Sequence, residues 1–369
     1  MRIAYVVHDF HRSGGHSRYV AELATRFSHD HDVSVFANYF EAPAGSRIRF
    51  HKVPAWRANA LTTVLSFAAM IRGKIDSQFD IVHCQGFCGP RGNVITTHIC
   101  NEAWHNALRD LSGKLTVRER IFDFFTTRLE RDLYRHANSS RVIAISRLVA
   151  DDVVRYYQCP APIDVIPHGV DLETFSPENR GRLRVPYRKK LGFSNSEFVY
   201  LYVGDLRKGA QQCLLALLQM EHGRLMFVSR SDPAPYLTLA QEFGIADRTT
   251  FLPVTNRIEE AYAAADAFML PSPYDTFGMV VTEAMASGLP VIVSRNAGAS
   301  ELIENGVSGL LIEDVSDIGE LAAHMRSLSE DRAKSSSIGV AARKTVEQFS
   351  WQAICEKTLD VYRQAMQMS

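Results

Sequence analysis

The sequence predicts an α/β protein built from two doubly wound, Rossmann-like domains, and three observations carry that expectation. Short apolar runs alternate with helix-period segments over residues 3–166 and again over 198–328. A stretch punctuated by Pro and Gly, Ile166 to Pro177, separates the two series. The chain has 369 residues, enough for two domains of ordinary size, and its 46% hydrophobic and 22% charged content is that of a globular protein.

The first series reads as strands at Ile3–Val7, Val33–Phe36, Ile48–Val53, Ile81–His83, Val94–Thr97, Val142–Ile145 and Ile163–Ile166. Helices fall between most of them, near Ser17–Phe27, Leu61–Ile75, Val117–Arg135 and Arg147–Tyr157. The second series places strands at Phe198–Val203, Leu225–Val228, Phe251–Val254, Ala267–Leu270, Val291–Val293 and Leu310–Ile312. Its helices lie near Gln211–Met220, Pro235–Phe243, Ile258–Ala265, Phe277–Ala286 and Ile318–Leu328. Such alternation gives parallel sheets covered on both faces, with ligands at the carboxyl ends of the strands. Two such domains are expected to face a cleft that holds the ligand.

Lys plus Arg equals Asp plus Glu at 41 each, which argues against bulk nucleic-acid binding. No apolar run reaches membrane-spanning length, and MRIAYVVHD reads as a first strand, so a cytoplasmic location is expected. The six cysteines lack disulfide or zinc spacing and read as reduced thiols at or near the core. His29-Asp30-His31-Asp32 contains a D-x-D pattern, but it falls on the amino side of the second strand, so it reads as a polar turn and no metal is expected.

The densest chemistry lies in residues 271–293, PSPYDTFGMVVTEAMASGLPVIV. Asp275 stands just before the expected helix, where a carboxylate is a natural cap. Glu283 follows two turns on, so both carboxylates can face one side. Between them the first-turn amides near Phe277, Gly278, Met279 and Val280 form an anion site, and Gly278 lets a phosphate approach closely. The layout suits a sugar nucleotide: diphosphate at the helix start, ribose and sugar hydroxyls on the carboxylates. An ordinary turn with a capping Asp and a solvated Glu would read the same way. Two cations, Arg207 and Lys208, follow the strand at Phe198–Val203 and would meet such a diphosphate across the cleft.

The run from Pro271 to Ile292 resembles the signature of retaining glycosyltransferases of family 4, which have the GT-B architecture. That family carries an acidic residue, seven others and a Glu; here Asp275 stands where Glu is usual, and Glu283 matches. The resemblance spans nearly the whole chain. Gly14-Gly15 is similar to the family's N-terminal Gly-Gly loop near the donor phosphate, with Gly15 the residue implied. His98, after Thr96-Thr97 at a strand end, matches a histidine that points at the donor sugar; a neutral imidazole would bond a sugar hydroxyl and a cation would favour the diphosphate. The segment Ile166–Pro177 resembles the interdomain motif N-G-V-D-x-x-x-F-x-P, with His168 replacing Asn. Val203–Gly209 resembles G-R-L-x-x-x-K-G, but Asp205 replaces the Arg and the loop is shorter; Lys208-Gly209 keeps the Lys-Gly pair, and Arg207 would supply the missing guanidinium. Val254 matches a main-chain contact to the base. Phe349-Ser350-Trp351 and the following helix resemble the final helix that crosses back onto the first domain.

The resemblance implies domains at 1–168 (with 350–369) for the acceptor and 169–349 for the donor. It implies transfer of a sugar from a nucleoside diphosphate sugar to an acceptor hydroxyl, with retention and without a metal or other cofactor. Glu283 would hold the ribose, while Asp275 and His98 orient the sugar. A UDP-hexose is the first donor expected and GDP-mannose the second, in surface polysaccharide or lipopolysaccharide synthesis. The alternative is a catalytically inactive sugar-nucleotide-binding subunit. Residues 114–147 hold eight basic and four acidic residues around Ile121, Phe122, Phe125, Leu129 and Leu133. They read either as a core-facing helix with a solvated basic face or as a peripheral contact with the inner membrane.

Overall fold

The computed structural model describes all of the chain except residues 13, 42–44, 76–77, 90–91, 113–115 and 369. The chain divides into two compact units, Met1–Gly169 with Trp351–Ser369, and Val170–Ser350.

The first unit is organised on a parallel sheet of β1 (Arg2–Val6), β3 (Asp32–Ala37), β5 (Arg49–Lys52), β6 (Ile81–Gln85), β7 (Val94–Thr97), β8 (Arg141–Ala144) and β9 (Ile163–Val165). Its order is β5-β3-β1-β6-β7-β8-β9. The two-residue strands β2 (Asp9–Phe10) and β4 (Tyr39–Phe40) pair with each other alone. Residues 3–6 are buried, as expected for a central strand covered on both faces. The last helix, Trp351–Met366, belongs to this unit and buries Trp351, Ile354 and Tyr362. There the Tyr362 hydroxyl lies 2.7 Å from the Tyr5 hydroxyl and 2.7 Å from His83 Nδ1.

The second unit holds β10 (Val199–Val203), β11 (Arg224–Ser229), β12 (Thr249–Pro253), β13 (Ala267–Leu270), β14 (Val291–Ser294) and β15 (Leu310–Ile312), in the order β12-β11-β10-β13-β14-β15. Every pairing is parallel. The order reverses between β10 and β13, which sets the loops after these two strands side by side at the carboxyl edge.

Three helices were not expected from the sequence, and each has a physical reason. Asn101–Ser112 has its first amide capped from a distant segment: Asn101 N donates to Glu130 Oε2 at 2.8 Å. Pro177–Leu191 carries Pro186 inside it and is mostly polar, yet Ser176 caps its start and Gly192 its end. Arg332–Val346 buries Ser335, Gly339 and Ala342 beside Ile338 and Val346, a face too small and polar to announce itself.

The helix Val117–Arg135 forms as expected, but its first turns do not face the core. Ile121 and Phe125 are exposed, as are Val117 and Phe124, while Thr126, Glu130, Leu133 and Tyr134 point inward. Lys114, at the start of the basic stretch, lies outside the described residues. Cys84, Cys88, Cys100, Cys213 and Cys355 are buried and Cys159 is half-buried, and none of the six is in a disulfide.

Candidate functional site

In the second unit the loops after β10 and β13 meet. A 3₁₀ turn, Leu206–Lys208, ends with Lys208 Nζ on Asp275 Oδ2 at 2.8 Å. The close approach depends on Gly209, at φ 127°, because a Cβ there would fall 2.6 Å from the Pro271 carbonyl oxygen. The loop carrying Asp275 is fixed from its other side too. Asp275 N donates to Asn296 O, and Gly298 N donates to Asp275 O, both at 2.9 Å.

Asp275 does not cap the helix as expected. The helix begins at Met279, two residues later than predicted, and its N-cap is Gly278 in the left-handed conformation at φ 85°. Asp275 Oδ1 instead accepts from Phe277 N at 3.2 Å, an Asx turn that delivers the chain to the helix. Gly278, Met279 and Val280 are half-buried at the unit's surface, and first-turn amides have no acceptor within their own helix. An ammonium, a carboxylate and a helix start therefore share one small region.

The expected placing of the two cations is corrected here, and the alternative reading of Glu283 as a solvated side chain does not hold. Lys208 and Arg207 lie in the same unit as Asp275, not on a facing one. Arg207 is folded onto its own loop: its Nη2 donates to Asp205 Oδ2 at 2.6 Å and its Nε to both Asp205 oxygens at 3.1 Å. The carboxylate that replaces the family's guanidinium thus takes up the charge of Arg207, and Lys208 is the cation beside the helix start. Glu283 is 5% exposed rather than solvated. Its Oε2 accepts from the Tyr262 hydroxyl at 3.0 Å, so the carboxylate is held within the unit. Val254 follows the last residue of β12 and is exposed.

In the first unit, Gly15 opens the helix Gly15–Phe27 after Gly14, whose φ is 90°. One residue on, His16 packs its ring 4.3 Å from that of His98. His98 follows β7, with Nε2 2.8 Å from Gln85 Oε1 and Nδ1 3.3 Å from His168 Nε2. With the Gln85 oxygen accepting, the proton sits on His98 Nε2, and Nδ1 accepts from His168. Burial, then the neighbouring imidazoles of His16, His168 and His83, hold His98 well below the ordinary histidine range. Burial likewise lowers His16 and His168 to about 3. The imidazolium expected as one option for His98 is therefore disfavoured, and the neutral ring is the form present near neutral pH.

His29 to Asp32 turns into the amino end of β3, away from these loops. Among the described residues, no three His, Cys, Asp or Glu side chains are grouped to hold a metal.

Two family models match the chain in succession: Glycosyltransferase Family 4 over residues 13–174 and Glycosyl transferases group 1 over residues 184–345. The chain belongs to glycosyltransferase family 4. An uncharacterized glycosyltransferase of Methanocaldococcus jannaschii is 25% identical over 96% of this chain and 94% of that protein. A D-inositol 3-phosphate glycosyltransferase of Rhodococcus jostii is 31% identical, but over 62% of this chain and only 53% of that protein. Among solved structures, the glycosyltransferase WaaG, involved in lipopolysaccharide biosynthesis, aligns with a TM-score of 0.83 over 98% of this chain and 99% of that one, at 20% identity. HepE of Anabaena, in complex with UDP and glucose, aligns with a TM-score of 0.75 at 20% identity over 99% of this chain and all of that one. The fold of the two Rossmann-like units is thus that of the GT-B glycosyltransferases.

For this glycosyltransferase, reasoning from sequence missed Tyr262, Gln85 and His16 as neighbours of the candidate residues. Tyr262 lies in a short Ala-rich helix, Glu259–Ala264, and nothing in its spacing ties it to Glu283. Gln85 ends β6, the strand next to β7 in the sheet, so it reaches His98 only through pairing. His16 alone had a legible signal, because it adjoins the Gly pair.

Proposed function

We propose that this glycosyltransferase moves a hexose from a nucleoside diphosphate sugar to an acceptor hydroxyl, with retention at the anomeric carbon. The observation that carries the reading is the Lys208–Asp275 pair beside the helix start at Gly278–Val280. A diphosphate suits that arrangement, with oxygens on the amides of Gly278, Met279 and Val280 and on Lys208, while the Phe277 amide stays on Asp275 Oδ1. Asp275 would then turn from Lys208 towards the sugar hydroxyls. Glu283, steadied by Tyr262, is the residue we assign to the ribose diol, and the exposed main chain at Val254 to the base. For Gly15 and neutral His98, in the first unit, roles at the donor phosphate and the sugar rest on the family resemblance alone.

None of these carboxylates is assigned as a covalent nucleophile. The bond from the anomeric carbon to the diphosphate oxygen breaks, and the acceptor oxygen bonds to the same face. The leaving phosphate oxygen takes the acceptor's proton, and Lys208 with the amides stabilises its growing charge. Arg207, held on Asp205, would assist only after leaving that partner. That the step needs no metal rests on the family resemblance.

UDP-hexose is the first donor proposed and GDP-mannose the second; the UDP and glucose bound to HepE support that order. A glycan or lipid-linked acceptor of surface polysaccharide synthesis fits the likeness to WaaG. Among the described residues no helix is long and apolar enough to cross a membrane. The exposed Val117, Ile121, Phe124 and Phe125 support a peripheral contact with the inner face of one. A thermal-shift panel of UDP, GDP, ADP and CMP, followed by slow hydrolysis of the matching sugar nucleotide, tests the proposal. One nucleotide should stabilise the protein, and its hexose conjugate should be turned over. Tight binding with no turnover of any conjugate, with or without acceptor, would favour an inactive subunit.

A further inference from the structure

At the amino edge of the second unit's sheet, away from the donor loops, the helix Pro177–Leu191 carries arginines four residues apart at Arg180, Arg184 and Arg188. Like charges at this spacing repel, so something must offset them. Asp266, just before β13, takes Arg184 and Arg188, each at 2.5 Å. The carbonyls closing the helix Glu259–Ala264 take more of the row: Arg184 Nη1 donates to Ala265 O at 2.7 Å and Arg188 Nε to Ala264 O at 2.8 Å. Arg180 is the least satisfied. Its Nη2 donates to Ala265 O at 2.9 Å, but its Nε is buried without an acceptor.

A cavity of about 370 Å³ opens beside Arg180. Its charged lining is Arg180, Arg332 and Arg343 against Asp266 alone, and Ser335 and Ser336 add hydroxyls. Arg332 lies 3.5 Å from Asp266, which is already shared by two closer guanidiniums, and it stacks over Phe198. Arg343 is committed to the carbonyls of Phe175 and Ala286 and to Glu347. Glu197, whose main-chain carbonyl takes Arg188 Nη1 at 3.1 Å, has its carboxylate paired with Arg224. Among the described residues, the ion pairs of Arg184, Arg188, Arg332 and Arg343 go to two carboxylates, Asp266 and Glu347. Burial, and then the neighbouring Arg184, lower Arg180 to about 10, as expected for a cation crowded by cations.

We propose that this cavity is a second anion site, which binds a phosphate-bearing small molecule. Guanidinium forks and hydroxyls match the oxygens of a phosphate. The volume falls in the range of about 300–1,000 Å³ found for small-molecule sites, which leaves room for a body the size of a sugar beyond the phosphate. The cavity also adjoins Gly288, just past the end of the helix Met279–Ala286, whose other end is the Gly278 cap. That helix of eight residues, about 12 Å long, therefore runs from the donor loop to the second site.

Calorimetric titration of the full chain with inorganic phosphate and with glucose 6-phosphate, at constant ionic strength in sodium chloride, tests the site. Both should bind the parent chain and Lys208→Ala alike. Arg332→Glu and Ser336→Asp, which place negative charge at the cavity, should weaken binding at least tenfold. Should Arg332→Glu not fold, Ser336→Asp, on an exposed position, decides alone. Tighter binding of glucose 6-phosphate would assign a phosphomonoester, and equal affinity would assign the phosphate group itself. The proposal is overturned if neither ligand binds the parent. It is equally overturned if binding disappears in Lys208→Ala and persists in the two cavity variants, because the anion would then sit at the donor loop.

Discussion

Lys208 and Asp275 hold each other at 2.8 Å in a half-buried setting, so any anion entering there competes with Asp275 for the ammonium. This competition gives the two residues separable effects. Lys208→Ala removes the cation that would stabilise the leaving diphosphate and should lower kcat by about 10²–10³. Asp275→Asn keeps an oxygen for the Phe277 amide but releases Lys208. UDP should then bind at least as tightly as to the parent chain, while transfer slows because the sugar has lost its carboxylate. Calorimetry with UDP and steady-state kinetics read the two effects apart. A Kd for UDP weakened tenfold in Asp275→Asn would remove Asp275 from the role of competitor. Residue types at this site were legible in the sequence, because Asp275, Gly278, Lys208 and Glu283 belong to one compact motif and one short turn. Their partners were not. The Tyr262 hydroxyl on Glu283 and the Asp205 carboxylate on Arg207 are side-chain geometry, and only the latter lies close in sequence.

At the scale of elements, the site depends on how closely two turns approach. Gly209 combines a left-handed φ of 127° with a position where a Cβ would clash with the Pro271 carbonyl. Gly209→Ala must strain one turn or push Lys208 from Asp275, a cost of about 1–3 kcal/mol. The second unit should unfold at lower denaturant and donor turnover should fall with it; an unchanged midpoint would mean that the turns can part freely. The strands were legible because a buried parallel strand is a short apolar run whatever surrounds it. The helices Asn101–Ser112, Pro177–Leu191 and Arg332–Val346 were not, because a remote carboxylate, a row of arginines and small buried residues hold them in place of an apolar stripe. The helix Val117–Arg135 is the converse case. Its apolar residues were legible but their direction was not, since Val117 is 73% and Phe124 60% exposed. Ile121 and Phe122 line a cavity of about 860 Å³ shared with Leu61 and the buried His105. If this face meets a membrane, Ile121→Asp with Phe124→Asp should reduce binding to phosphatidylglycerol-containing vesicles at least tenfold and leave the thermal midpoint nearly unchanged. Equal partitioning of parent and variant would assign the face to another role.

For the molecule as a whole, formal charge is balanced near neutrality, so its acid behaviour turns on buried histidines rather than on net charge. Among the described residues, burial lowers six histidines of the first unit, His105 included. Burial lowers His83, His16 and His168 to about 3 and His8 to about 4, and it holds His98 well below the ordinary range. In the unfolded chain these rings take up protons near pH ~6.5, whereas in the folded unit they refuse them. Their contribution to stability is therefore complete above pH ~6.5 and is lost as pH falls towards the folded values. Each fully buried ring, His83 and His168 above all, adds a slope of up to ~1.4 kcal/mol per pH unit across that window. Glu130 acts in the opposite sense. Burial raises it to about 7, so the folded unit binds its proton more readily between the two values and loses stability as pH rises through them. One carboxyl offsets one imidazole, and the histidines prevail. All three tryptophans, Trp56, Trp104 and Trp351, lie in the first unit, so fluorescence follows that unit alone. Urea unfolding read by tryptophan emission should show a midpoint that falls steadily from pH 7 to pH 5. His83→Gln should flatten that fall by the share of one ring, although it removes a hydrogen bond to Tyr362 or Thr96 and lowers the midpoint at pH 7. A midpoint that stays level between pH 7 and pH 5 would mean that these rings reach protons in the folded state. His98 would then have to be treated as a cation in the transfer step.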